Sequence, residues 1–194
     1  METNIDLRSS TIDKGIDLIK DFVEKLFGSS LEETGLIFSD RIRLLRLKNQ
    51  IKILSRTEEI CKKNNISINQ INLKTLVPLL EYSSLEEDET LQEKWSNLLV
   101  NIIDSEKKYE SSIFPYILNQ LTSNEVKVLE TLSNDRLTSV NIGIISGIEL
   151  SNLIRLGLIE LDFVYKKMIR NKITYYKFRI TDLGYEFVNC CTRK

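Results

Sequence analysis

The stretch from Leu31 to Lys63 constrains the fold most, because no strong helix breaker interrupts it before Asn64-Asn65. At the standard helical rise it would extend about 50 Å. Apolar residues recur along it at spacings of three and four, namely Leu44, Leu47, Ile51, Leu54 and Cys61, with an interruption at Glu58. This spacing predicts a long amphipathic helix. With only seven Gly and two Pro in 194 residues, the sequence predicts a mainly α fold.

Further helices are predicted on either side of this stretch. Apolar residues line one face from Thr11 to Phe27, and a second helical segment covers Ile68 to Ser84. Pro78 in that segment is expected in a first turn or at a kink, because proline lacks an amide proton. Ser84 followed by Glu87 is typical of a capping box, which would start the helix that carries Trp95. The sequence therefore predicts a helical layer over residues 1–110.

The sequence pattern of residues 111–194 differs from that of residues 1–110, because it combines helix and strand signals. Thr122 with Glu125 predicts a capping box for one helix, and a second helix is expected to end at Gly157. Alternating residues from Ile173 to Ile180 predict the second strand of a hairpin, and Thr181-Asp182 predicts the start of a final helix. The order helix, helix, hairpin, helix predicts a winged-helix-like α+β domain.

Histidine is missing from the sequence, which excludes Ser-His-Asp and Cys-His catalysis and removes the commonest metal ligand. The three cysteines are expected to be reduced thiols, because no secretory signal is visible. No apolar run of about 18 residues is present that could span a membrane. We therefore expect a cytoplasmic protein that is not an enzyme and has no cofactor and no metal.

Charge is distributed unevenly along the chain. Residues 1–120 hold 16 Lys/Arg and 20 Asp/Glu, whereas residues 121–194 hold 11 and 8. The second helix of the winged-helix-like domain offers only Asn152 and Arg155 for reading bases, which is too few for a sequence-specific reader. Basic residues are concentrated in the hairpin, namely Lys166, Lys167, Arg170, Lys172, Lys177 and Arg179. They are candidate contacts for nucleic acid phosphates or for a protein partner.

Three segments resemble a known family: Gly35–Arg46, Leu76–Glu81 and Ser84–Leu99. They are similar to the abortive-infection alpha (Abi-alpha) family, whose members carry a Gly…Asp-Arg…Arg helix, a Pro-Leu-Leu helix and an acidic lead into Trp-Ala-Asn-Leu-Leu. Ser96 stands where the family has Ala, and both residues are small. The ending from Arg155 to Cys190 is also similar, so the resemblance covers about residues 12–191.

The resemblance implies a role in phage defence in which infected cells die or stop growing. It implies no catalytic residues. The positions that match the motifs are Asp40, Arg46, Glu86, Asp88 and Trp95. We expect these residues to be structural, with Arg46 paired to a buried carboxylate and Trp95 as a core anchor.

Three ways of acting remain open from the sequence. A defence protein of this kind would contact a protein partner or copies of itself. One alternative is a winged-helix regulator that binds nucleic acid. The other is an effector that perturbs membranes through the Thr11–Phe27 helix.

Overall fold

The computed structural model describes residues 41–104, 112–134, 146–166 and 174–193. Over these residues the chain forms seven helices and two strands, which confirms the prediction of a mainly helical protein with a small hairpin. The helices are α1 (Arg41–Lys63), α2 (Leu73–Ser83), α3 (Glu89–Ile103), α4 (Phe114–Leu118), α5 (Ser123–Asn134), α6 (Gly147–Arg155) and α7 (Asp182–Cys191); the strands are β1 (Ile159–Lys166) and β2 (Thr174–Ile180).

The predicted helix at Thr11–Phe27, residues 31–40 and the predicted turn at Arg170–Lys172 lie outside the described residues. The chain divides into two compact units, one ending at Asn119 and the other beginning at Gln120. None of the described helices is both long and apolar enough to cross a membrane.

Helix α1 ends where the sequence predicts. Asn65 follows it with φ of 52°, a left-handed conformation that stops a helix and that asparagine tolerates. Glu58 interrupts the apolar spacing of α1, but the neighbouring Thr57 keeps the buried face of the helix continuous. It is fully buried, and its hydroxyl donates to the Ile53 carbonyl at 2.8 Å, so this polar side chain is satisfied within its own helix.

Helix α3 differs from an amphipathic helix, because every residue from Lys94 to Ile103 is buried. Trp95, Leu98, Leu99 and Ile103 are among the largest fully buried side chains of the described residues. Helices α1 and α2 both pack against α3. The first unit is therefore organised around this helix.

The start of α3 corrects one sequence prediction. The helix begins at Glu89, and its N-cap is Asp88, whose carboxylate accepts from the Leu91 amide at 3.0 Å. Ser84, expected to cap this helix with Glu87, instead lies at the C-terminal end of α2. Asp88 is the better N-cap, because its extended backbone and short carboxylate reach an amide three residues ahead. Pro78 lies inside α2, beyond its first turn.

Helices of the second unit begin at side-chain caps. Thr122 and Glu125 form the predicted capping box, with the Thr122 amide donating to Glu125 at 2.7 Å and the Glu125 amide donating to the Thr122 hydroxyl at 3.3 Å. Ser146 and Glu149 form a second capping box at the start of α6. Each box satisfies amides that the first turn of a helix leaves unpaired.

Strands β1 and β2 pair antiparallel, from Ile159 opposite Ile180 to Lys166 opposite Thr174. Thr181 fixes the following helix: its amide donates to the Leu158 carbonyl at 3.0 Å, and its hydroxyl donates to the Gly157 carbonyl at 2.6 Å. That hydroxyl also accepts from the Gly184 amide at 3.0 Å. Gly157 has φ of 70°, as a C-terminal cap in the left-handed region requires. One threonine thus joins the start of α7 to the turn before β1.

Candidate functional site

The candidate site in the first unit is the junction between α1 and the C-terminal end of α2. Arg46 Nε donates to Ser84 Oγ at 2.9 Å, and Asn49 Nδ2 donates to the Ser84 carbonyl at 3.0 Å. Gln50 Nε2 donates to the Leu80 carbonyl at 3.0 Å. The last carbonyls of a helix lack intrahelical partners, and a cation near them is favourable. Asn49 and Gln50 of α1 therefore donate to carbonyls at the end of α2, and Arg46 bonds the Ser84 side chain beside them.

Among the described residues, Arg46 bonds a serine hydroxyl, and the expected pairing with a carboxylate stays a prediction. Of the three carboxylates that match the family motif, Glu86 and Asp88 make local hydrogen bonds. Glu86 Oε1 accepts from the Asp88 amide at 2.9 Å, and Asp88 caps α3. Asp40, the third, lies outside the described residues.

Two ion pairs join α1 to α3. Lys52 Nζ lies 3.2 Å from Glu89, and Arg56 lies 3.6 Å from Glu93. Both pairs are substantially exposed, so each contributes little to stability. They are spaced by four residues on both helices, however, and this repeat sets which turns of α1 and α3 face each other.

Trp95 lies inside the first unit, with 1% of its surface exposed. Neither its Nε1 nor Gln92 Oε1, one turn earlier, has a hydrogen-bond partner among the described residues. The other end of the Gln92 amide donates to the Glu86 carbonyl at 2.8 Å, which fixes its orientation. Trp95 therefore contributes buried apolar area and an unpaired donor.

We predict that Asn49→Ala lowers the free energy of unfolding of the first unit by about 1–2 kcal/mol, because it leaves the buried Ser84 carbonyl without this donor. Urea unfolding followed by fluorescence measures this unit specifically, since Trp95 is the single tryptophan. Asn64→Ala is the matched control, because Asn64 donates to the Ile60 carbonyl from an exposed position. Equal losses of unfolding free energy in the two variants would show that the Asn49–Ser84 bond at the junction stabilises the unit no more than an exposed hydrogen bond does.

The sequence patterns gave no role to Asn49 or Gln50, and they assigned Ser84 to the wrong helix end. A polar residue on a helix gives no sign that it faces a neighbouring helix end instead of solvent. The signal that was present is the position of Asn49 two residues after the buried Leu47, next to the apolar stripe. That position is compatible with burial but does not require it.

In the second unit, α6 places Asn152 and Arg155 against the segment before α5. Asn152 Nδ2 donates to the Gln120 carbonyl at 2.9 Å and to Glu125 Oε1 at 2.8 Å. Arg155 donates to Asn152 Oδ1 at 2.7 Å and to Gln120 Oε1 at 2.8 Å. The two side chains considered for base reading are thus engaged within the protein. The face of α6 that reaches solvent includes Ile148 and Ile154, which are apolar.

The basic residues of the hairpin are only partly described. Arg179 donates to Glu160 directly across the two strands at 2.7 Å. Lys166 and Lys177 belong to β1 and β2, but their side chains lie outside the described part of the chain, as do Lys167, Arg170 and Lys172. One of the six candidate contacts is therefore placed, and it is paired with a carboxylate.

The titratable groups of the described residues include a carboxylate in a helix cap and three thiols. The backbone amide and then the hydroxyl of Ser146 hold the pKa of Glu149 below its ordinary value, as a helix cap does. Cys61, Cys190 and Cys191 are buried thiols. Within the described ranges, no three His, Cys, Asp or Glu side chains lie together as a metal site would require.

Comparison with known proteins agrees with the motif positions. Residues 40–147 match the family model described as abortive infection alpha, and the match includes Arg46, Glu86, Asp88 and Trp95. The ending from Arg155 to Cys190, which also resembles the family, lies beyond the matched residues. No curated protein and no solved structure matches the chain. Because the match covers more than half of the sequence, this chain belongs to the abortive infection alpha family.

Proposed function

We propose that this protein acts in bacterial defence against phage by abortive infection. It works in the cytoplasm, without catalysis, through contacts with a protein partner or with further copies of itself. The observation that carries the proposal is the family match over residues 40–147. The family's name supplies the biological process, and the structure supports the manner of action.

The support from the structure lies in how the motif residues are used. Arg46 bonds the Ser84 hydroxyl at the end of α2, Asp88 caps α3 and Trp95 lies in the core of the first unit. Each side chain is occupied in holding helices together. The outer surface of the first unit is left available for contacts, and large apolar side chains such as Val77 and Tyr116 are exposed there. Such a surface favours contact with another protein.

We predict that bacteria expressing this protein survive phage challenge at low phage dose, whereas their cultures collapse at high dose. This difference arises because each infected cell is lost but releases few phage. Plaque counts and culture density measure it, with an empty vector as the control. Survival of cultures at high dose would contradict abortive infection, and unchanged plaque counts would contradict defence by this chain alone.

The order of elements from α5 to α7 favours a second candidate, a winged-helix-like domain that binds nucleic acid without sequence preference. Affinity would then come from phosphate contacts and fall steeply as salt rises. The test is DNA binding by the full chain at several salt concentrations, with Lys166, Lys167, Arg170 and Lys172 changed to Ala. Binding that survives these changes, or that ignores salt, would exclude this candidate.

A further inference from the structure

The outward face of α2 combines apolar and charged side chains in a regular pattern. Leu73 and Val77 are 43% and 45% exposed, and Lys74 and Glu81 are exposed beside them. At 100° per residue these four residues lie on one side of the helix. Leu76, Leu79 and Ser83 are buried on the other side. The helix is thus fully packed on its inner face and has an apolar stripe on its outer face.

Helix α4 extends this apolar surface. Helices α2 and α4 pack together, and the Tyr116 ring lies edge-on against Tyr82, with ring centroids 5.3 Å apart. Tyr116 is 44% exposed, and Ile113, immediately before α4, is 49% exposed. Helix α2 and the segment from Ile113 into α4 therefore expose four large apolar side chains, as interaction surfaces do.

Charge on this surface is balanced and symmetric. Lys74 and Glu81 are the only charged residues of α2, and α4 has none. They are separated by about 10 Å along the helix at the standard rise, with Val77 and Pro78 between them. No described residue forms an ion pair with either side chain. The pattern of positive, apolar and negative is complementary to itself when reversed.

We propose that the outward face of α2 is the contact surface of a twofold dimer of this chain. In an antiparallel arrangement centred between Val77 and Pro78, Lys74 faces Glu81 of the partner subunit, and Glu81 faces Lys74 of the partner subunit. Apolar contact at Val77 supplies the affinity, and the two ion pairs fix direction and register. This inference rests on the proposed function, of which it specifies the self-association.

A charge exchange tests the arrangement. We predict that the full chain shows a concentration-dependent monomer–dimer equilibrium in sedimentation velocity. Glu81→Lys and Lys74→Glu should each raise the dimer Kd by about tenfold or more, because each places like charges opposite one another. The double variant Lys74→Glu/Glu81→Lys should return the Kd close to that of the wild type, since both ion pairs form again with reversed polarity.

Two further variants separate the surface from general effects. Val77→Glu should abolish the dimer, whereas Ile148→Glu, at an 84% exposed position in the second unit, should leave it unchanged. Circular dichroism confirms that each variant is folded. A wild-type protein that stays monomeric, a dimer that Val77→Glu leaves intact, or a double variant as weak as the single ones would overturn the inference.

The phage assay keeps this inference distinct from the proposed function. A wild-type protein that protects bacteria but sediments as a monomer overturns the dimer and leaves the defence role standing. A protein that dimerises as described but gives no protection supports the dimer and contradicts defence by this chain alone. Loss of protection in Val77→Glu together with its loss of dimerisation would support both.

Discussion

Replacing Trp95 by alanine should lower the free energy of unfolding of the first unit by about 3–5 kcal/mol, the usual cost of truncating a large buried aromatic side chain. Trp95 is 1% exposed, and its neighbours Leu98 and Leu99 are fully buried. The alanine variant would leave a cavity at this position. Side chains from the surface cannot move in to fill it, because every residue of α3 after Glu93 is buried. Urea unfolding measured by far-UV circular dichroism gives the change.

Trp95→Phe is the matched control and should cost only about 1–2 kcal/mol. Phenylalanine retains most of the buried apolar area, and it removes a donor that has no partner among the described residues. A loss in Trp95→Phe as large as in Trp95→Ala would contradict this account. It would show that a contact of Nε1 contributes more to the free energy of unfolding than the buried volume of the ring does.

The second large effect is expected at Gly184, at the start of α7. Gly184→Ala should destabilise the second unit by about 3 kcal/mol, the upper end of typical overpacking costs. A Cβ at this position would overlap the Leu158 carbonyl oxygen and lie 2.8 Å from Ile180 Cγ1. Relief would require moving that carbonyl, which accepts the Thr181 amide. Thermal unfolding followed by circular dichroism measures the loss.

Gly147→Ala provides the opposite case within the same unit. A Cβ there meets nothing within 4 Å, and the residue opens α6 with a helical backbone. We expect this variant to be neutral or more stable by about 0.4–1 kcal/mol, because alanine has less freedom to lose on folding. If both glycine variants behave alike, the close approach at Gly184 does not limit packing.

The sequence predicted those features of the fold that depend on nearby residues. The stop of α1 at Asn64-Asn65, the Thr122–Glu125 box and the left-handed cap at Gly157 each follow from the chemistry of a few adjacent side chains. The prediction that Ser84 caps α3 was wrong. Ser84 and Asp88 lie within five residues of each other and either side chain can cap a helix, so sequence spacing does not decide between them. Ser84 lies at the end of α2, where its hydroxyl accepts from Arg46 and its carbonyl accepts from Asn49.

The candidate site was less predictable, because its contacts join residues far apart in the chain. Arg46 stands at a motif position, but its serine partner lies 38 residues away, and only the packing of α1 on α2 brings them together. In the same way, Asn152 has the side chain of a base reader, yet the fold engages it with Gln120 and Glu125. Residue type limits what a side chain can bind, and tertiary packing selects the partner.

The complete burial of α3 from Lys94 to Ile103 has an evolutionary consequence. A substitution at any of these buried positions would leave a cavity or an overpacked site, so this part of α3 tolerates few changes. Exposed positions of the first unit such as Ile113 and Tyr116 carry less of this packing restriction. A protein built in this way can change the surface by which it makes contacts while the helix at the centre of the first unit stays the same.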